Sequence, residues 1–133
     1  MPAEDVDAIR RSYEAFNRGD LDGALEVMHP EIEWQTYIVP GPGGGTYHGR
    51  EGVRQLWSDV RGVFGDFRNE PERFFDVAPE RVVAFIRVCG VGKESGAFVE
   101  ARIAHVITMK DGMAIRVQSF EDRDEALRAA GLA

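Results

Sequence analysis

The chain has 133 residues, of which 44% are hydrophobic and 29% charged, a balance typical of one globular domain rather than of a disordered segment. Its formal charge of −7, with basic residues that are scattered along the chain, argues against a nucleic-acid partner. No apolar run approaches the ~20 residues of a membrane span, no signal peptide is visible, and no Cys/His pair has zinc spacing. We therefore expect one cytoplasmic domain over residues 1–133, without cofactor, metal or membrane partner.

Two helices are predicted at the start of the chain. Gly19 suits the position just after the first helix, and Asp20 suits the N-cap of a second, shorter helix that Pro30 closes. The first helix is predicted from apolar residues at three- and four-residue spacing: Val6, Ile9, Tyr13 and Phe16.

The middle of the chain alternates between strand and helix patterns. A strand is predicted over 31–37, and the proline- and glycine-rich segment 40–45 predicts a flexible flap. This segment lacks the Gly-Lys-Ser/Thr ending of a phosphate cradle, which argues against phosphate binding there. One helix and four strands are predicted beyond it, approximately over 51–64, 67–77, 81–90, 96–109 and 113–120.

The segment 107–133 carries the most specific pattern. Asp111-Gly112 between two apolar runs predicts a type I′ hairpin turn, and Asp122 predicts the cap of a last short helix. Joined to the N-terminal helical hairpin, this ending resembles the nuclear transport factor 2-like fold in its SnoaL-like branch. The resemblance implies an α+β cone of order ααβαββββα, in which a curved, mostly antiparallel sheet wraps around the helices and encloses one cavity, with the 40–45 flap at its mouth.

The longest predicted strand alternates sharply, but its residues leave open which face is the core. Periodicity alone favours the apolar face with Ile103 and Ile107, which would leave Glu100 and Arg102 in water. Aligned with the same strand of the ketosteroid isomerases, this segment instead turns Arg102 and Ala104 toward the cavity. The resemblance then implies that the apolar face is convex and forms the interface of a homodimer.

The catalytic positions of related families fall mostly on residues without a carboxylate. The ketosteroid isomerases use a tyrosine, an aspartate base and a protonated aspartic acid; by similarity these positions are Tyr13, Thr36 and Ala104. The acid that SnoaL-like polyketide cyclases and limonene epoxide hydrolases carry on the last strand falls on Ser119. Because threonine and alanine cannot take over the acid–base roles, we expect no steroid isomerisation by that mechanism.

The predicted catalytic set combines a tyrosine with charged residues. Tyr13 would donate to a developing oxyanion, Arg102 or Arg87 would hold a polar group, and Glu100 or His48 would move the proton. A second interpretation makes Glu100 part of an internal salt-bridge network with its two arginines. The predicted ligand-binding residues are Trp34, Thr36, Trp57, Phe85, Arg87, Phe98, Ala104 and Ser119.

Two function classes follow from the resemblance. The first is a cofactor-independent acid–base enzyme, of the isomerase, cyclase, dehydratase or hydrolase type, acting on a hydrophobic metabolite. The second is a non-catalytic protein that binds a small molecule in the same cavity. The missing carboxylates favour the binding protein or an unusual chemistry. His105, on the apolar face, is predicted to be an interface residue.

Overall fold

The computed structural model describes residues 2–36, 45–77 and 79–132. Within these ranges the chain forms four helices and six strands, which confirms the predicted α+β class. The elements are α1 Pro2–Asn17, α2 Leu21–Leu25, β1 Met28–Gln35, β2 Thr46–His48, α3 Gly49–Val63, β3 Phe64–Val77, β4 Arg81–Gly92, β5 Phe98–Lys110, β6 Met113–Phe120 and α4 Arg123–Ala129.

The strands form one sheet in the order β2-β1-β6-β5-β4-β3. Neighbouring strands are antiparallel except β1 and β6, which run parallel, so the prediction of a mostly antiparallel sheet is confirmed. Strands β3 to β6 follow one another through short connections, whereas β1 returns from the start of the chain to pair with the last strand. This order brings residues from both ends of the sequence to the middle of the sheet.

The predicted turn and caps are present. Asp111 and Gly112 both adopt positive φ, 53° and 77°, as a type I′ turn between β5 and β6 requires. The Asp122 carboxylate accepts from two backbone N–H groups at the start of α4. Asp20 accepts from the Gly23 N–H at 2.9 Å and so caps α2.

Three of the differences from the prediction concern the first strands of the sheet. β1 begins at Met28 and runs through Pro30, because the proline lies in an irregular stretch of the β1–β6 pairing where no regular ladder hydrogen bond is required of it. β2 is an additional short strand that pairs with β1. β3 begins at Phe64, whose extended backbone ends α3 three residues before the predicted strand. The predicted flap lies, except for Gly45, outside the described residues.

The helices α1 and α3 cover one face of the sheet and form the main core with it. Ile103 and Ile107 of β5 are buried in this core, together with Ile86 of β4. The opposite face is partly covered by α4, which buries Ala104 and Val106 in a second, smaller cluster.

The face that the resemblance assigned to the cavity is therefore the wrong one. Arg102 and Ala104 lie on the side away from α1 and α3, and Ile103 lies on the concave side. A shift of one residue in the alignment reverses every side chain of a strand, because the side-chain period of a strand is two. The interpretation from periodicity alone, with Glu100 and Arg102 in water, is the one that the structure confirms: both residues are exposed.

Candidate ligand-binding site

A cavity lies between α1, α3 and the concave face of the sheet. Its volume is about 30 Å³, roughly that of one water molecule, so a cyclic ligand enters only if wall side chains move apart. The wall is mostly apolar, and both tryptophans of the chain belong to it. The lining residues are Ile9, Ser12, Tyr13, Phe16, Val27, Met28, Trp34, Trp57, Asn69, Ile107, Ala114 and Val117.

One hydrogen-bonded pair joins α1 to the sheet at the wall of this cavity. The hydroxyl of Tyr13 and Nδ1 of His105 are 2.7 Å apart, and their rings stack with centroids separated by 5.9 Å. Trp34 packs edge-on against the His105 ring at 5.3 Å. The helical spacing of α1 directs Tyr13 inward, and the alternation of β5 directs His105 to meet it.

Burial keeps both members of the pair neutral. His105 is 2% exposed, and loss of water lowers its pKa from the usual 6.5 to about 3. The same loss of water raises the pKa of Tyr13 well above its usual value. At neutral pH the pair is therefore an uncharged donor and acceptor, with Nε2 of His105 left for a second partner.

Two smaller polar residues extend this pair across the sheet. Ser119 of β6 lies directly opposite His105 of β5, and its Oγ is buried without a hydrogen-bond partner in the described part of the chain. Thr36 is buried just beyond the end of β1 and follows Gln35, which pairs with Gln118 beside Ser119. The concave face thus carries a short polar row next to an apolar cavity.

The structure brings together five of the residues predicted from the sequence. Tyr13, Trp34 and Trp57 line the cavity. Thr36 and Ser119 lie on the concave side in the polar row beside His105.

Six other predicted residues lie on the opposite face, and the prediction that they face the cavity is wrong. Arg87 bridges Glu100 and Glu70, an ion-paired network that matches the second interpretation of Glu100. The physical reason for the placement is that β4 and β5 turn their alternate residues toward α4 or solvent, not toward α1. The six residues are Phe85, Arg87, Phe98, Glu100, Arg102 and Ala104.

Arg102 and His48, two of the predicted catalytic residues, are at the surface. The side chain of Arg102 is 68% exposed, with Nε 3.7 Å from Glu72. His48 is exposed at the N-cap of α3 and makes no capping hydrogen bond with its side chain. Arg102 and His48 therefore do not contact a ligand in the cavity.

His105 and Asn69 are among the residues of the site that were not predicted. His105 was predicted at a subunit interface, whereas it lies in the core of the chain. A lone histidine within an apolar strand face was the available signal, but its meaning depended on which face was concave. Asn69 lines the cavity from β3, and no local pattern in the sequence distinguishes it.

Two general features complete the description. Among residues 2–36, 45–77 and 79–132, no group of three or more His, Cys, Asp or Glu side chains is placed to hold a metal ion. Within the same ranges, every helix is too short or too polar to span a membrane.

Comparison with known proteins places the fold in a family. TerC, co-crystallized with polyporic acid, is 30% identical, with a TM-score of 0.79 over 96% of this chain and 97% of its own. A protein of unknown function from Burkholderia pseudomallei, described as NTF2-like, is 27% identical with a TM-score of 0.79 over 96% and 97% of the two chains. Rv0760c from Mycobacterium tuberculosis, in complex with estradiol-17β-hemisuccinate, is 15% identical with a TM-score of 0.75 over 91% and 95%, which shows the fold alone.

A comparison with proteins of curated function finds no match. The model of the SnoaL-like domain matches residues 9–117, most of the chain. Together with the order of the elements, this match identifies the chain as a member of the SnoaL-like domain family, within the nuclear transport factor 2-like fold.

Proposed function

We propose that this protein binds a small, cyclic, largely apolar molecule in the cavity and hydrogen-bonds one of its oxygen atoms through Tyr13 and His105. The observation that carries the proposal is this buried, neutral pair, of which Tyr13 lines a mostly apolar cavity. A polar group in such a place costs free energy unless it is hydrogen-bonded, and a ligand oxygen can share that bond or accept from Nε2. The Oγ of Ser119, which is buried without a hydrogen-bond partner among the described residues, is a further polar group beside it.

The character of the wall supports an uncharged ligand body. None of the lining residues is Asp, Glu, Lys or Arg, so a charged ring system would lose its water without gaining a counter-ion. Aromatic side chains of α1, β1 and α3 suit flat rings. Polyporic acid, with which the 30% identical TerC was co-crystallized, is an acid that ionises near neutral pH, so the uncharged ring ketone 1-tetralone is the first compound to test here.

The proposal is tested by titrating 1-tetralone and following tryptophan fluorescence. Trp34 and Trp57 are the only tryptophans of the chain and both line the cavity, so binding there changes their emission. In Tyr13→Phe the ring stays and the hydroxyl is lost; the dissociation constant should rise about five- to tenfold, the usual effect of one hydrogen bond.

Tyr47→Phe is the matched control, because the Tyr47 hydroxyl donates to Asp59 at 3.0 Å and lies outside the cavity. Its affinity should equal that of the wild type, as measured by fluorescence and by titration calorimetry. Wild-type protein that gives neither heat nor a change in emission would contradict the proposal. If Tyr13→Phe and wild type bind with equal affinity, the Tyr13–His105 pair does not hydrogen-bond the ligand.

The low pKa of His105 favours binding over acid–base catalysis. A base whose conjugate acid has a pKa of about 3 holds a proton weakly, so it is poorly matched to abstracting one from carbon near pH 7. We therefore expect no faster exchange of the protons beside the carbonyl of 1-tetralone in D₂O with wild type than with His105→Gln, as followed by proton NMR. Exchange that wild type accelerates and His105→Gln does not would instead support an enzyme.

We also propose self-association, on a surface other than the one first predicted. The apolar face that suggested a dimer is filled by α1 and α3, so it is not available to a partner. Two exposed apolar side chains at the start of β5, one on each face of the strand, support an alternative, since Phe98 is 60% and Val99 42% exposed. The cytoplasmic location stays a prediction.

A further inference from the structure

Three polar side chains belong to the cavity wall, and two of them are already hydrogen-bonded within the protein. Ser12 Oγ donates to the Ala24 carbonyl at 2.9 Å. The Tyr13 hydroxyl is bonded to His105. The third residue is Asn69, and the hydrogen bonds described for it are made by its backbone. In the described part of the chain its carboxamide is therefore available to a ligand, and unlike the indole N–H groups of Trp34 and Trp57 it can both donate and accept.

The alternation of β3 places this carboxamide on the concave side. Asn69 is 7% exposed, whereas Arg68 and Glu70 on either side of it are more accessible. Successive side chains of a strand point to opposite faces, so the side chain of Asn69 points toward the cavity. A carboxamide in that position has given up most of its water, and an oxygen on a bound ligand restores its hydrogen bonds.

Asn17, the last residue of α1, holds this part of β3 in place. Its Nδ2 donates to the Asn69 carbonyl at 2.7 Å, and its Oδ1 accepts from the Asn69 N–H at 2.9 Å. β3 is the edge strand of the sheet, and these two backbone groups find in Asn17 the partner that a further strand would supply. The β3–β4 register shifts on both sides of Asn69, so the clamp fixes a short regular stretch between two irregular ones.

We infer that Asn69 determines ligand specificity in the cavity and that Asn17 is the residue that positions it. This inference rests on the proposed function and narrows it: the ligand carries a carbonyl or hydroxyl oxygen on the side that faces β3. A carboxamide donates through Nδ2 and accepts through Oδ1, so it satisfies either kind of oxygen. A ring without an oxygen there leaves the carboxamide unpaired and binds less tightly.

Two compounds with the same fused rings test this inference: 1-tetralone has a carbonyl oxygen, and tetralin has none. Wild type should bind 1-tetralone about five- to tenfold more tightly than tetralin, as measured by tryptophan fluorescence and titration calorimetry. In Asn69→Leu, which keeps the size of the side chain, the ratio of the two dissociation constants should fall to about one. Gln55→Leu, which removes an exposed carboxamide on α3, is the matched control and should keep the wild-type ratio.

Asn69→Ala removes the carboxamide without adding a charge. It should also lose the preference for 1-tetralone, and it serves if the leucine variant does not fold. Asn17→Ala keeps the Asn69 side chain but removes the two hydrogen bonds to its backbone. The preference for 1-tetralone over tetralin should therefore decrease, while the affinity for tetralin should stay unchanged. A preference for 1-tetralone that survives in Asn69→Leu would overturn the inference while the cavity remains a binding site. If neither compound binds wild type, the proposed function fails, and this inference fails with it.

Discussion

His105 is held in its neutral form by the fold. It lies among aromatic rings with its Nδ1 bonded to Tyr13, so protonation would place an unpaired charge in the core. A histidine in this setting gives the site a hydrogen-bonding nitrogen that does not change charge across the physiological pH range. This is an advantage for recognising an uncharged ligand oxygen and a disadvantage for moving protons.

The same residue should make stability depend on pH. Burial lowers the pKa of His105 from 6.5 to about 3, so between these values the unfolded chain binds a proton that the folded chain does not. The stability that neutral His105 allows is therefore fully present above about pH 6.5 and is lost as the pH falls toward 3, by up to ~1.4 kcal/mol per pH unit.

Urea unfolding of wild type and His105→Gln between about pH 7 and pH 4 measures this effect. As the pH falls, the unfolding free energy of wild type should decrease more than that of His105→Gln, because the variant lacks the titrating group. His48→Gln is the control, since His48 is exposed, and its curve should run parallel to that of wild type. Parallel curves for His105→Gln and wild type would show that His105 titrates normally.

At the scale of elements, β5 shows how one strand serves two layers. Its alternate residues are buried on both sides, Ile103 and Ile107 under α1 and α3, and Ala104 and Val106 under α4. Both faces of its second half are therefore apolar. The alternating pattern predicts a strand, but it does not show which face packs against α1. Its first half, from Phe98 to Arg102, is exposed on both faces.

Local sequence signals predicted the turn between β5 and β6 and the cap of α4 correctly, because neighbouring residues determine these conformations. The Asp111-Gly112 turn depends on positive φ at adjacent residues, which Gly tolerates freely and Asp better than most residues. The cap of α4 depends on a carboxylate within reach of the next backbone N–H groups. The start of β1 was missed because its pairing with β6 decides it, and β6 lies about eighty residues further along the chain.

At the scale of the whole molecule, the exposed start of β5 is the surface that we expect a second copy to cover. Phe98→Asp should convert a dimer into a monomer, because a carboxylate would be buried in an apolar contact. Light scattering coupled to size-exclusion chromatography measures the mass directly. Leu132→Asp, another exposed apolar residue that lies at the C-terminal end, is the control and should leave the mass unchanged. A wild-type protein of monomer mass would contradict the proposed self-association.

The sequence by itself determined the class of the fold, the turn between β5 and β6, the caps of α2 and α4, and Tyr13, Trp34 and Trp57 as inward residues of their elements. These depend on periodicity and on contacts within a few residues, which a linear pattern contains. Only the tertiary structure decided which face of β5 is concave, since burial by α1 or by α4 makes both faces apolar.

The tertiary structure also decided the partners of the site. Tyr13 meets His105 across 92 positions of the chain, and Asn17 meets Asn69 across 52. No local preference encodes such pairs, because they form only when the sheet curls and α1 packs into it. The cavity and its hydrogen-bonding groups are therefore a property of the packing between helices and sheet, not of any single segment.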